Sequence, residues 1–194
     1  INFVRSVAGV LRDKNNLLCY ELYYPDPEDV DVVEYTKQLQ HITNAIKDVD
    51  DKHEVRLVAD VDTAQVKYPR DFSNIDGFGI CQYNLRKDDI CRERIERDLE
   101  YFSSTGLPVH VAEVGFRTQS YNGSTHGLAS GEEKKADLIE EIYNYFSKKS
   151  LTWTYFTLDD KPSEGDWGLI DRKFFFTNSL KPAGERIKNI LKYQ

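Results

Sequence analysis

The stretch LPVHVAEVGF, residues 107–116, places one acid near the end of a run that is otherwise typical of a buried β-strand. Side chains alternate between the two faces of a strand, so Leu107, Val109 and Val111 are expected to share a face with Glu113. A carboxylate in line with two valines, shortly before a glycine, needs either an ion-pair partner or a chemical role.

The segments around this strand alternate between apolar strands and amphipathic helices. The pattern predicts strands at 17–24, 54–62, 75–83, 107–115 and 151–158, and helices at 2–12, 30–48, 88–102, 132–148 and 182–191. Alternation of this kind predicts an α/β fold with a parallel sheet flanked by helices. No glycine-rich phosphate loop follows any of the strands, which argues against the nucleotide-binding versions of this class.

The composition limits the classes of function. The chain has 194 residues, of which 40% are hydrophobic, enough for one domain, and we predict a single domain over 1–194. A net charge of -7 argues against a nucleic-acid surface. No apolar run approaches the roughly 18 residues of a membrane span. We therefore expect neither nucleic acid nor a membrane as a partner.

The cysteines and termini carry further expectations. The three cysteines show no spacing typical of a zinc site, so we predict no metal and no cofactor. The chain contains no Met and begins at Ile1, so we expect a fragment or a processed chain. A sequon at Asn122 is compatible with secretion, but such triplets are common by chance, and the localisation stays open.

Acids, amides and aromatic residues gather at the predicted carboxyl ends of the strands, where parallel α/β folds carry their functional groups. They are Glu21, Tyr23, Tyr24, Asp26, Asp60, Asp62, Gln82, Tyr83, Asn84, Glu113, Arg117, Trp153, Tyr155, Asp159 and Asp160. Aromatic rings stack on the C–H faces of sugars, and carboxylates bind hydroxyls or break glycosidic bonds. The set favours a carbohydrate ligand, although each residue taken singly is more often structural.

From about Phe3 to Ile187 the chain resembles the carboxyl-terminal part of the retaining glycoside hydrolases built on (β/α)8 barrels, a clan that includes cellulases, mannanases and xylanases. The motifs that carry the resemblance are LPVHVAEVGF and LTWTYFTLDD followed by GDWGLID. The resemblance implies an incomplete TIM-barrel type fold of about five strands, the fourth to the eighth. It also implies that Glu113 is the nucleophile, that Tyr83 hydrogen-bonds Glu113, and that the ring of Trp153 forms the floor of the sugar-binding site.

The acid/base residue of this clan has no direct counterpart in the sequence. The fourth strand of the family ends in Asn-Glu-Pro, whereas YELYYPD has Tyr24 before Pro25. Retaining hydrolysis needs a second carboxyl group about 5–5.5 Å from the first. Glu21, Asp26 and Asp62 are the carboxylates that could substitute for the missing acid/base residue. Three alternatives stay open: a retaining β-glycosidase, a saccharide-binding protein without turnover on the same scaffold, and a structural or assembly chain.

Five strands of an eight-stranded barrel would leave two open sheet edges, whereas a closed barrel has none. We therefore expect an amino-terminal barrel segment, a partner chain or a second copy to complete the sheet. The other expected partner is a carbohydrate substrate.

Overall fold

The computed structural model describes residues 1–23, 31–59, 74–83, 90–119, 128–156, 166, 168–174 and 177–192. Several residues with predicted roles lie outside the described residues: Tyr24, Asp26, Asp60, Asp62, Asn84, Asn122, Asp159 and Asp160.

Five helices and seven strands make up the described part of the chain. In chain order they are α1 (Asn2–Leu11), β1 (Cys19–Tyr23), α2 (Val32–Lys47), β2 (Glu54–Ala59), β3 (Gly77–Gln82), α3 (Arg92–Ser103), β4 (Val109–Val114), α4 (Glu132–Lys148), β5 (Trp153–Tyr155), β6 (Ile170–Phe174), β7 (Thr177–Leu180) and α5 (Pro182–Lys192). None of the helices among the described residues combines the length and apolarity that crossing a membrane requires.

The five predicted strands form one sheet in the order β1-β2-β3-β4-β5. The pairs β1/β2, β2/β3 and β4/β5 are parallel, as the alternation of strands and helices predicts. The predicted fold class, an α/β fold with an incomplete (β/α)8 sheet of about five strands, is confirmed.

A second, two-stranded sheet is an antiparallel hairpin of β6 and β7. The sequence pattern does not predict this hairpin, because the strands IDRKF and TNSL lack a regular apolar alternation.

The chain forms two compact units. In the first, residues 1–81 with 98–110, Ala8 of α1, Ile46 of α2 and Val55 of β2 form a buried cluster, and Tyr20 of β1 packs against it. The side chain of Asp31 caps α2 by accepting hydrogen bonds from the first backbone N–H groups of the helix. The two helices therefore cover the face of β1 that carries Tyr20.

In the second unit, residues 82–97 with 111–194, α4 buries an apolar face. Leu138, Ile139, Ile142 and Phe146 are the large apolar side chains of this face, and none of them is more than 2% exposed. The helix α5 is tied to α4 by Arg186, which pairs with Glu140 and Asp137.

Candidate active site

Glu113 is the next-to-last residue of β4, at the carboxyl end of the strand where chemistry is expected in this fold class. Val111, two residues before Glu113, and Val114, the residue after it, are fully buried. Their β-branched side chains favour the extended backbone. Glu113 itself is half-buried. A carboxylate held on a rigid strand but reachable from solvent can act on a bound molecule.

A β-bulge lies next to Glu113. In the pairing of β4 with β5, Val111 is opposite Trp153 and Val114 is opposite Tyr155, so two residues of β4 face one residue of β5. Bulges are rare in parallel pairs, and they are over-represented beside active sites, where they change the direction of a side chain. The simple alternation that the sequence suggests is therefore interrupted at Glu113.

Tyr83 lies directly after β3 and donates a hydrogen bond from its hydroxyl to Oε2 of Glu113. The structure thus contains the tyrosine–glutamate contact that the family resemblance implies. A hydrogen bond of this kind fixes one oxygen of the carboxylate and so orients the other.

Phe156 is a residue of this site that the sequence interpretation missed. Its ring is nearly perpendicular to the ring of Tyr83, with the centroids 6.0 Å apart, and its backbone N–H donates to the carbonyl of Val114. The signal was available, because LTWTYFTL holds several aromatic residues at the end of β5. Apolar periodicity alone does not tell which of these rings reaches the site.

Trp153 is the first residue of β5, and its ring contacts two aromatic rings. Its ring lies 6.4 Å from the ring of Tyr143 and 6.2 Å from that of Phe146, and both of these residues belong to α4. The ring of Trp153 therefore packs beside α4. The sugar-floor role that the resemblance implies for Trp153 stays a prediction.

Glu21, one of the possible acid/base substitutes, is bound to a histidine. Its Oε1 lies 2.6 Å from Nε2 of His110, and Nδ1 of His110 lies 2.8 Å from the carbonyl oxygen of Phe78. Glu21 is also the central residue of the five in β1, rather than a residue of its carboxyl end. Asp26 and Asp62 lie outside the described residues, and the acid/base assignments stay predictions.

The segment after Glu113 is held by the motif that contains Asp166. The carboxylate of Asp166 accepts hydrogen bonds from the backbone N–H groups of Thr118 (2.9 Å) and Gln119 (3.0 Å). Lys135 of α4, which is fully buried, donates from Nζ to the carbonyl oxygens of Asp166 (2.8 Å) and Gly168 (2.9 Å). Asp166 therefore connects Thr118 and Gln119, which follow the candidate nucleophile in the chain, to Lys135 of α4.

Comparison with known proteins gives a likeness at the level of structure. No family model matches the sequence, and no curated protein matches it either. Among solved structures, a β-glucanase from Saccharophagus degradans matches 99% of this chain and 58% of its own, with 14% identity and a TM-score of 0.65. A β-D-glucuronidase from Dictyoglomus thermophilum matches 100% of this chain and 35% of its own, with 14% identity and a TM-score of 0.70.

A third similar structure is a glycoside hydrolase family 10 endoxylanase retrieved from a sugarcane soil metagenome. It matches 97% of this chain and 66% of its own, with 16% identity and a TM-score of 0.63. The chain thus spans less than two thirds of the length of each of these three structures. At these identities the likeness shows the fold, which is that of part of a (β/α)8 barrel as found in glycoside hydrolases.

Proposed function

We propose that this protein hydrolyses β-glycosidic bonds by a retaining, double-displacement mechanism with Glu113 as the nucleophile. The observation that carries the proposal is the hydrogen bond from Tyr83 to Glu113 at the carboxyl ends of two parallel strands. The similar structures include a β-glucanase, a β-glucuronidase and an endoxylanase, which supports a glycosidic bond as the target.

In the first step, the Glu113 oxygen that does not accept from Tyr83 would attack the anomeric carbon. A glycosyl ester forms as the glycosidic bond breaks, and the leaving oxygen takes a proton from an acid. In the second step, water attacks the same carbon, gives up a proton to the conjugate base, and frees Glu113. Tyr83 positions the nucleophile in both steps, and the Phe156 ring beside Tyr83 offers an apolar face to the sugar.

The proposed nucleophile can be tested without knowing the acid/base residue. Dinitrophenyl β-glycosides fluorinated next to the anomeric carbon form the glycosyl ester readily, because their leaving group needs no proton, and they release it slowly. The reagents to test are the β-glucoside, the β-glucuronide and the β-xyloside, because the three similar structures are a β-glucanase, a β-glucuronidase and an endoxylanase. We expect one of these reagents to add the mass of one sugar, and peptide mapping to locate it on Glu113.

The variant Glu113→Gln gives the matching kinetic test on an unfluorinated aryl glycoside. Removal of a nucleophile should lower kcat by roughly 10³-fold or more while sugar binding persists. Glu100→Gln is the matched control, because Glu100 is an exposed carboxylate on α3. Turnover that is unchanged in Glu113→Gln, or a sugar ester on another residue, would overturn the proposal.

The alternative function is a saccharide-binding protein without turnover, which the sequence favours because Tyr24 stands where the family has its acid/base glutamate. Azide separates the two functions. An enzyme that lacks its acid/base residue still forms the glycosyl ester from activated substrates, and azide then releases it as a glycosyl azide. Sugar binding with neither ester formation nor azide-dependent release would support the binding protein.

The proposed function includes completion of the barrel by a segment that supplies the remaining strands. The strand β1 is the first in the sheet order and pairs with β2 alone among the described strands. An unpaired edge in a fold that normally closes on itself is a surface for further strands.

A further inference from the structure

Three potential metal ligands meet on one face of the sheet in the first unit. The Sγ atom of Cys19, a carboxylate oxygen of Glu21 and a ring nitrogen of His110 all lie within 4.8 Å of one another. Cys19 and Glu21 are two residues apart on β1, so they point to the same side of the strand. That side is opposite to the one where the Tyr20 hydroxyl meets Asp50 and the helices pack.

The orientation of His110 is suited to metal binding. The carbonyl oxygen of Phe78 can only accept a hydrogen bond, so the Nδ1 atom of His110, 2.8 Å away, must be the donor. The 2.6 Å contact between Nε2 of His110 and Oε1 of Glu21 then needs one shared proton, and a cation that bound both atoms would displace this proton to solvent. A ligating histidine in metalloproteins typically donates its other N–H to a carbonyl or carboxylate group, which fixes the ring.

The charges of the three ligands balance a divalent cation. A thiolate from Cys19, a carboxylate from Glu21 and a neutral His110 carry two negative charges in total. The nearby guanidinium of Arg56, on the adjacent strand β2, is directed to Glu54, with Nε 2.7 Å from Oε2. Its positive charge is therefore matched within its own ion pair.

We infer that Cys19, Glu21 and His110 form a binding site for a zinc-like divalent cation. Sulfur, nitrogen and oxygen in one site are the donor set that Zn²⁺ prefers, and three protein ligands leave a fourth position for water. With bonds of about 2.0–2.1 Å, tetrahedral N and O ligands stand about 3.3 Å apart. The His110–Glu21 distance of 2.6 Å would therefore widen by under 1 Å on binding.

The site's position indicates a structural role. Cys19 is the first residue of β1 and His110 the second residue of β4, so the site lies toward the amino ends of these strands. In barrels of this class the carboxyl ends carry the chemistry and the amino ends contribute stability. The metal would tie β1, at the end of the sheet order, to β4, and this inference does not depend on the proposed glycosidase activity.

Cobalt(II) is a suitable probe, because it replaces zinc in tetrahedral sites and its bond to a thiolate gives a charge-transfer band in the near ultraviolet. Titration of the intact protein should give this band at one equivalent of cobalt, and zinc should remove it. Cys19→Ser should abolish the band, whereas Cys91→Ser should leave it unchanged, because Cys91 is a half-buried thiol outside the cluster.

Two further measurements keep the inference testable if one variant folds poorly. Glu21→Gln should weaken cobalt binding by roughly tenfold or more. Even the loss of a residue that only hydrogen-bonds a metal ligand lowers metal affinity by about 10–100-fold. Zinc should raise the Tm of the unmodified protein and not that of Cys19→Ser. Absence of the band at saturating cobalt, or a band and a zinc-dependent Tm that persist in Cys19→Ser, would overturn the assignment.

Discussion

At the scale of single residues, the contact between Tyr83 and Glu113 links the fold to the proposed chemistry. The tyrosine follows β3, the glutamate lies near the end of β4, and the pairing of β4 with β5 shifts register beside the glutamate. The proposed reaction requires one oxygen of Glu113 to stay in place while the other forms a bond. Tyr83 is therefore a positioning residue, and its removal should affect rate more than binding.

We predict that Tyr83→Phe lowers kcat on an aryl β-glycoside by roughly 10- to 150-fold, with little change in KM. The range corresponds to the loss of one hydrogen bond to a charged group, about 1.5–3 kcal/mol. Tyr145→Phe is the control, because the Tyr145 hydroxyl donates to Glu96 at the helix surface. Equal losses in both variants, or a change in KM alone, would contradict a positioning role for Tyr83.

A second residue-scale prediction concerns Asp50, which is buried between Tyr20 and His53. Burial alone would raise the pKa of Asp50, but hydrogen bonds from the Tyr20 hydroxyl, the His53 ring, and the backbone of His53 and Lys52 lower the pKa to about 2. The unfolded pKa is about 3.9, so the stabilisation is present above about pH 4 and is lost as pH falls toward 2.

We predict that Asp50→Asn lowers the free energy of unfolding by about 1.5–3 kcal/mol at neutral pH and removes this part of the acid dependence. Chemical denaturation between pH 2 and neutral pH measures both effects. Asp13→Asn is the control, because Asp13 is exposed and pairs only at the surface with Arg12 and Lys52. An Asp50→Asn curve parallel to that of the unchanged protein would contradict the assignment.

The sequence predicted some site residues and missed others for physical reasons. Glu113 was predictable because an acid interrupts an apolar strand, and Tyr83 because a family motif marks its position. The role of Trp153 stays a prediction and Phe156 was missed, because several neighbouring aromatic residues compete for the site. The direction of each ring depends on the register between β4 and β5, which no local pattern reveals.

At the scale of elements, Gly77 shows how closely β3 approaches the chain that leads into β4. A Cβ atom at this position would lie 2.8 Å from the carbonyl oxygen of Pro108, the same oxygen that accepts a hydrogen bond from the N–H of Phe78. A glycine within a strand often marks a close backbone approach of this kind.

We predict that Gly77→Ala destabilises the protein by about 1–3 kcal/mol, because backbone must move to admit the methyl group. The free energy of unfolding from chemical denaturation is the measurement. Gly131→Ala is the matched control, since a Cβ atom there meets no other atom within 4 Å. This substitution should lower the free energy of unfolding by less than about 1 kcal/mol. Similar losses for both variants would show that the close approach is not the cause.

Apolar periodicity predicted the main helices and strands, but it predicted their first and last residues less accurately. The helix predicted at 88–102 spans Arg92–Ser103, and the strand predicted at 151–158 is shortened to Trp153–Tyr155. Strands end where pairing ends, and pairing depends on the neighbouring strand rather than on local sequence. The hairpin of β6 and β7 escaped prediction for the same reason, since its short strands are stabilised by each other.

At the scale of the whole molecule, an apolar surface on α1 remains exposed. Phe3 is 78% exposed and Val10 is 68% exposed, and their spacing places them with Val7 on one side of the helix. Leu18, directly before β1, is also exposed, at 85%. Apolar side chains grouped in this way are typical of a surface that another element covers.

We predict that the 194-residue chain alone associates through this surface, because the elements that the structure describes leave it exposed. The double variant Phe3→Glu and Val10→Glu should increase the monomer fraction, as measured by sedimentation velocity. Leu191→Glu is the control, because Leu191 is 61% exposed on α5. A monodisperse monomer of the unchanged chain would contradict the prediction, as would an equal effect of the control.

The fold class itself could be predicted from the sequence, because alternation of strands and helices leaves few arrangements other than a parallel sheet. The proposed metal site could not be predicted from the sequence. Cys19 and His110 lie 91 positions apart and come together only through the order of the strands. Spacing rules detect ligands that are close in sequence, and this set is close only in space.

The bulge beside Glu113 has a consequence for how such a protein can change its sequence. Substitutions in 107–116 alter the size or polarity of a side chain, whereas a deletion of one residue would restore a regular ladder with β5 and turn the acid to the other side of the sheet. The length of this stretch is therefore under a stricter constraint than its composition.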